Sequence, residues 1–437
     1  MGLEEKLAQL QSWDAGKDVL EGVELHPFQI VDVLKMIYAK RAVVRYDTGT
    51  GKTLLAAAAM KFLWREDPTR RFLMFIKKDQ MIQTPKKLSD YTGRLVIASC
   101  AAQEDVQEVF ETGRFLNYPL LLLTHECLNN RIVMKVLRKE REKFCGVVID
   151  EAHELNNKGF AQSADVMAGL VSRFEYCWAL TATPIVTSLL QLAKLACLVD
   201  AKRYPNYAQL KKRLSQGIFE IRQDPIFFIN RTAEELGRFS EYVGHLVWVK
   251  AMKHQKEKVG GFQLMSLCKG KGATRQAETL VALIKKQGEK RGLVYVQQHA
   301  VREWILPFLR EAGIRFECIN GRVVKERSAI LDRFNQEKSL DVIVTSVTTA
   351  VDADCDYVVF YEFTVELKQM IGRADRGLNG KTVDIYFVVT RGSQEPLYFM
   401  HNIVDRSEIV KRTLGVKYRE LEDVAAEVEE VVMLDQD

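Results

Sequence analysis

The chain has 437 residues, 47% hydrophobic and 28% charged, which is more than one hydrophobic core serves, so two to three domains are expected. No apolar run approaches the roughly 20 residues of a membrane-spanning helix, which argues against a membrane partner. The opening Met1-Gly2-Leu3-Glu4-Glu5-Lys6 has neither a signal-peptide core nor the Ser/Thr of a myristoylation site, so the protein is expected to stay inside a cell.

The net charge of +5 hides an asymmetry, because residues 421–437 carry seven acids and no Lys or Arg. The remainder is a basic body suited to a polyanion. The eight cysteines (Cys100, Cys127, Cys145, Cys177, Cys197, Cys268, Cys318 and Cys355) are scattered without a C-x-x-C pair. Reduced thiols are expected, and no zinc site.

In chain order, residues 3–22 have helical spacing through Leu3, Leu7 and Leu10. Leu25-His26-Pro27-Phe28-Gln29 follows. The Gln29 amide has the donor and acceptor needed to read an adenine edge. Next, Arg41 to Tyr46 reads as a strand that breaks into Asp47-Thr48-Gly49-Thr50-Gly51-Lys52-Thr53 and then a helix from Leu54. Gly49 and Gly51 allow backbone N–H groups to turn onto a polyphosphate, with Thr48 before them and Thr50 between them. Lys52 can reach the β- and γ-phosphates, and Thr53 can hold magnesium. ATP and Mg2+ are the expected cofactors. Tyr46 stands where the common phosphate-loop pattern has its first glycine, so only the G-K-T half of that pattern is intact.

Apolar strands then alternate with amphipathic helices: Phe72–Ile76, Leu95–Ala98, Leu120–Thr124, Val147–Ile149 and Trp178–Thr181. Continuous rather than alternating apolarity predicts strands covered on both faces, in a doubly wound parallel sheet with its chemistry at the strand C-terminal ends. Asp150-Glu151-Ala152-His153 ends one strand: Asp150 is placed for the magnesium and Glu151 for the attacking water. Thr181-Ala182-Thr183-Pro184 ends another with two hydroxyls able to relay between the carboxylates and other bound groups.

The phosphate loop, D-E-A-H and T-A-T-P in this order resemble the motor core of helicase superfamily two. Leu180 to Leu192 is similar to the L-T-G-T-P-x-x-N-S-L-x-E-L block of Swi/Snf-type ATPases. Phe228-Ile229-Asn230-Arg231-Thr232 and Leu246–Lys250 are similar to that family's arginine-threonine linker and its following strand. The match runs from about Leu25 to about Gly415. It implies an α/β protein with two tandem RecA-like lobes, a short helical linker region and a C-terminal helical extension. The expected boundaries are 1–205, 206–238, 239–400 and 401–437.

Residues 200–290 are rich in Lys and Arg, open to a solvated linker or a phosphate-tracking surface. The second lobe has candidate strands Gly292–Val296, Phe316–Ile319, Val342–Thr345, Tyr357–Tyr361 and Asp384–Val389, with no phosphate loop. Gln369-Met370-Ile371-Gly372-Arg373-Ala374-Asp375-Arg376 places Arg373 and Arg376 at i and i+3, so both can point at one γ-phosphate. A guanidinium stays charged while the transferring phosphoryl spreads its charge. Thr345 to Asp352 departs from the family's S-T-R-A-G-G-x-G-I-N motif, lacking the glycine pair. The acidic end, Glu422 to Asp437, reads as a solubilising tail.

The resemblance implies a nucleic-acid-stimulated ATPase translocating on duplex or branched DNA with weak sequence preference; RNA remains open, and protein partners are unspecified. Lys77, Lys78, Thr124, Gln297 and Thr345 are candidate strand contacts. Thr181, Thr183 and Gln369 are candidates for coupling. Compactness suggests a prokaryotic or phage member working in the cytoplasm; a eukaryotic one would be nuclear. Two alternatives stay open: a strand-separating DNA or RNA helicase, and a non-hydrolysing nucleic-acid-binding regulator that uses ATP as a switch.

Overall fold

The computed structural model describes residues 20, 22–47, 50–81, 84–94, 96–99, 108–156, 167–185, 189–216, 227–231, 241–250, 274–320, 326–346, 351, 353–362 and 382–391. The chain divides into two compact units, Met1–Thr232 and Ala233–Asp437.

In unit 1, Pro27 opens helix α1 (Pro27–Ala39), which leads into strand β1 (Arg41–Tyr46). Proline suits that first-turn position because its missing N–H has no helical partner to lose. Helix α2 (Lys52–Glu66) follows the glycine-rich turn, then β2 (Phe72–Ile76), α3 (Thr84–Thr92), β3 (Val96–Ser99) and β4 (Leu120–Thr124). The Asn130 side chain caps α4 (Arg131–Glu140) by accepting from Ile132 and Val133 N–H. The rest are β5 (Gly146–Ile149), β6 (Tyr176–Thr181), α5 (Leu189–Val199), α6 (Tyr207–Ser215) and β7 (Phe228–Arg231).

The seven strands form one sheet in the order β3-β4-β2-β5-β6-β1-β7, every pair parallel. Strands β2, β4, β5 and β6 are buried along their length, so both faces are covered, as the unbroken apolar runs require. On one face Trp178 stacks on Phe72 at 5.6 Å between ring centroids, and Trp64 meets Phe72 edge-on. The Ala56–Ala59 run of α2, fully buried, lets that helix lie close against the sheet. Gly146 is required here, since a Cβ would stand 2.6 Å from Phe72 and 2.7 Å from Tyr176. The segment 206–238, expected as a helical linker, contributes α6 and β7 to unit 1, and β7 closes one edge of its sheet.

Unit 2 contains β8 (Glu241–Lys250), α7 (Thr274–Lys286), β9 (Gly292–Tyr295), α8 (His299–Glu311), β10 (Phe316–Ile319), α9 (Arg327–Asn335), β11 (Val342–Thr345), β12 (Tyr357–Phe360) and β13 (Thr382–Arg391). Its sheet runs β10-β11-β9-β12-β13-β8, again wholly parallel. Leu293 and Ile343 pack on one face; Val294, Val342 and Val344 pack on the other. Both units are therefore RecA-like doubly wound α/β lobes. The predicted strands of both lobes are present, β13 being longer than expected by pairing along its whole length with β8.

Candidate active site

In a parallel sheet every strand delivers its following loop to the same edge. Strands β5, β6 and β1 are neighbours in the order of the first sheet. The D-E-A-H, T-A-T-P and phosphate-loop segments, far apart in the chain, are thereby placed side by side.

Thr50 N–H donates to the Asp47 carbonyl at 3.3 Å. Gly51 has φ +98°, and a Cβ there would lie 2.9 Å from Gln29 Nε2. Conformation and space both call for glycine at this position. The loop delivers the N-terminus of α2, whose first amides have no partner within the helix and carry the positive end of the helix dipole. Lys52 is buried, with Nζ donating to the carbonyls of Tyr46 at 3.2 Å and Asp47 at 3.5 Å. Thr53, next along, is half-buried. Gln29 is buried as well. Its Oε1 accepts from His26 N–H at 3.0 Å and its Nε2 donates to the Thr50 carbonyl at 3.3 Å. The amide expected to read adenine braces the phosphate loop, and a base reading through both its atoms would replace these bonds.

At the end of β5, Asp150 and Glu151 are both buried. Asp150 Oδ1 accepts Glu151 N–H at 3.0 Å. Burial pushes the Asp150 carboxyl up to about 7; the Glu151 charge adds to this and the Lys52 ammonium opposes it. Glu151 sits at φ +47°, a left-handed conformation costly for a residue with a Cβ and typical of sites where function sets the backbone. His153 Nδ1 lies 3.0 Å from Thr181 Oγ1 and 3.5 Å from Glu151 Oε2. Burial holds the imidazole down at about 4, so it is neutral near pH 7. Thr183 N–H donates to Thr181 Oγ1 at 3.1 Å. Thr181 thus joins the T-A-T-P turn to the D-E-A-H turn. Lys77 Nζ pairs with Glu154 at 2.5 Å; burial alone would raise the Glu154 carboxyl, but the charge and hydrogen bond of Lys77, with His153 and His125 beside it, together outweigh burial and hold the pKa low.

The candidate strand contacts separate. Lys78 and Gln297 are exposed. Lys77 is committed to Glu154. Thr124 and Thr345 are fully buried, Thr124 beside Cys127 Sγ at 3.7 Å and Thr345 donating to the Ile319 carbonyl at 3.1 Å. Their hydroxyls are spent inside the sheets, because the last residue of a strand can still point into the core, and they present no surface to a phosphodiester in this conformation. Thr48, Gly49, Gln369, Arg373 and Arg376 lie outside the described residues.

The donor set suits magnesium. Thr53 and Asp150 offer hard oxygens, and among the described residues no group of three or more His, Cys, Asp or Glu could hold a metal. Mg2+ commonly uses one or two protein oxygens with phosphates and waters completing its shell.

Sequence reading missed the buried charges around the loop. Arg45, on β1, is 1% exposed and Asp32, on α1, is fully buried. An arginine inside an apolar strand with Asp47 two residues on, hence on the same side, was the available signal.

Fold and site together define a phosphate-loop α/β protein with a second RecA-like lobe. Residues 14–186 match the family model for the Type III restriction enzyme res subunit, and residues 275–378 match the helicase conserved C-terminal domain. The two matches fall one in each unit and together span more than half the chain, which belongs to helicase superfamily two. The chain is similar to the Sulfolobus solfataricus SWI2/SNF2 ATPase core in complex with dsDNA, at 16% identity over 95% of this chain and 96% of that one, with a TM-score of 0.44. No match was found among curated proteins. Among the described residues no helix is long and apolar enough to cross a membrane.

Proposed function

We propose that the protein is a DNA-stimulated ATPase of the Swi/Snf type that translocates on duplex or branched DNA. The observation that carries the ATPase reading is the convergence of Lys52, Asp150, Glu151 and the His153–Thr181 pair on three adjacent strand ends. The finer assignment rests on the Leu180–Leu192 block and the basic body.

In this reading the turn from Thr48 to Gly51 and the start of α2 cradle the triphosphate, and Lys52 moves from the Tyr46 and Asp47 carbonyls to the β- and γ-phosphates. Thr53 and Asp150 would hold magnesium, which when bound offsets phosphate charge. Glu151 orients and deprotonates the attacking water. Its carboxylate is steered by His153, which is neutral and so withholds no proton from the exchange. Arg373 and Arg376 act on the γ-phosphate as its charge spreads. Lys78 and Gln297, the exposed members of the candidate set, remain proposed contacts to the nucleic-acid backbone; such contacts read phosphate rather than base and are salt-dependent.

Steady-state phosphate release tests this with no nucleic acid, duplex, single-stranded and branched DNA, and RNA. Stimulation by duplex or branched DNA is expected. Stimulation by single strands or RNA alone would favour a strand-separating helicase, and ATP binding without turnover under any condition would favour a regulator.

A further inference from the structure

Two buried clusters tie the phosphate loop to β7, the strand from which the chain leaves unit 1. In the first, the Asp32 carboxylate receives three groups: Tyr46 Oη at 2.6 Å, Arg231 Nε at 2.8 Å with Nη2 at 3.1 Å, and Lys35 Nζ at 3.4 Å. The Tyr46 phenol pKa is raised well above its usual range by burial and then by the Asp32 charge, so the hydroxyl remains a donor. In the second, the Arg45 guanidinium pairs with Asp47. The same group donates to the Arg231 carbonyl at 3.0 Å, the Asn230 side chain at 3.2 Å and the Ala182 carbonyl at 3.4 Å. One cation therefore touches the loop, the T-A-T-P turn and β7.

These clusters meet at Tyr46 and Asp47, whose carbonyls hold Lys52 Nζ. A triphosphate competes for that ammonium through charged hydrogen bonds, which outmatch those to neutral carbonyls. Resting on the ATP reading above, we propose that Asp32 and Arg45 are positioning residues. They transmit the release of the Tyr46 and Asp47 carbonyls to Arg231 and Asn230, and so convey loop occupancy to the chain entering unit 2. A cluster serving stability alone gains little from buried charge, since well-packed apolar side chains of like volume do as well or better. An edge strand whose last residue, Arg231, is tied to Asp32 through its side chain and to Arg45 through its carbonyl is better explained by transmission.

The test uses the full chain, with Tyr46→Phe to cut the first cluster and Asn230→Ala, at a half-buried site, to loosen the second. Direct ATP binding, kcat and KM are measured, along with amide hydrogen exchange of residues 228–231 with and without Mg-ATP. Both variants are expected to bind ATP within about twofold of the parent. Their kcat should fall by about threefold or more while KM holds, and the ATP-dependent exchange response at 228–231 should shrink by about half or more. A parent that binds ATP without an exchange response there overturns the transmission alone, as do variants whose response and kcat equal the parent's. A parent that binds no ATP overturns the site reading as well.

Discussion

Replacing Asp150 by Asn should stabilise the protein while abolishing turnover, and the gain should depend on pH in a defined direction. The carboxyl is buried, and that burial pushes its pKa up to about 7 from an ordinary 3.8. The folded state therefore binds a proton that the unfolded chain releases between these values. Stability linked to Asp150 is fully present below about 3.8 and is lost as pH rises through about 7. The full displacement is worth about 4 kcal/mol. Asparagine carries no such penalty and can still accept Glu151 N–H through its amide oxygen. The variant should exceed the parent by as much as about 4 kcal/mol near pH 8, a Tm rise of roughly 10 °C, and by about half that near pH 5. His153 works in the opposite sense. Its folded value of about 4 lies below the ordinary 6.5, so its contribution is present above about 6.5 and is lost as pH falls through about 4. In the parent the two partly cancel in acid; in Asp150→Asn the histidine is left alone, so the variant's stability should fall more steeply between about pH 6 and pH 4. Urea unfolding across this range, read through exchange protection of β5 and β6 amides, measures both effects. A variant no more stable than the parent near pH 8, or a gain that does not shrink in acid, would refute the burial argument.

Glu151→Gln should retain ATP binding and lose turnover by about 100-fold or more, checked by isothermal titration beside phosphate release. Gly51→Ala should cost about 1–3 kcal/mol through its left-handed backbone and the Gln29 contact, and weaken ATP binding by at least about tenfold, a pairing that urea titration and nucleotide titration resolve. Gly292→Ala would drive a Cβ to 2.2 Å from the Tyr357 ring. Calorimetry should place its loss of about 2 kcal/mol or more in the transition of unit 2, with ATP affinity in unit 1 kept.

The architecture was legible because parallel strands buried on both faces leave unbroken apolar runs, and these located the expected strands of both sheets to within a few residues. The phosphate loop was legible because Gly51 answers a backbone requirement that few other residues meet. The direction of a side chain at a strand end was not. Thr124 and Thr345 sit in the last position of β4 and β11, where one residue of register decides between the core and the edge. The environment of Gln29 was equally hidden: the same amide that suits an adenine edge also suits a carbonyl of the loop 21 residues later. Buried ion clusters such as Asp32 with Arg231 join positions 199 residues apart, and no local pattern announces them.

The distribution of these groups carries a mechanical consequence. Asp32, Arg45, Asp47, Lys52, Asp150, Glu151 and His153 are all nearly inaccessible, and each sits on α1 or at the C-terminal edge of one sheet. Charges held this way gain little stability, and the strained Glu151 backbone adds a cost of its own. The apolar body of the sheet, with its Trp64, Phe72 and Trp178 stack, offsets that cost. A packed core of this kind moves as a rigid block, while a charged edge can exchange one partner for another at small expense. Lys52 and Arg45 each have several acceptors within reach. A triphosphate arriving at the loop would therefore change which of them is used and alter the end of β7 while the buried body of the sheet stays in place, which is what a site that must respond to ATP and then reset requires.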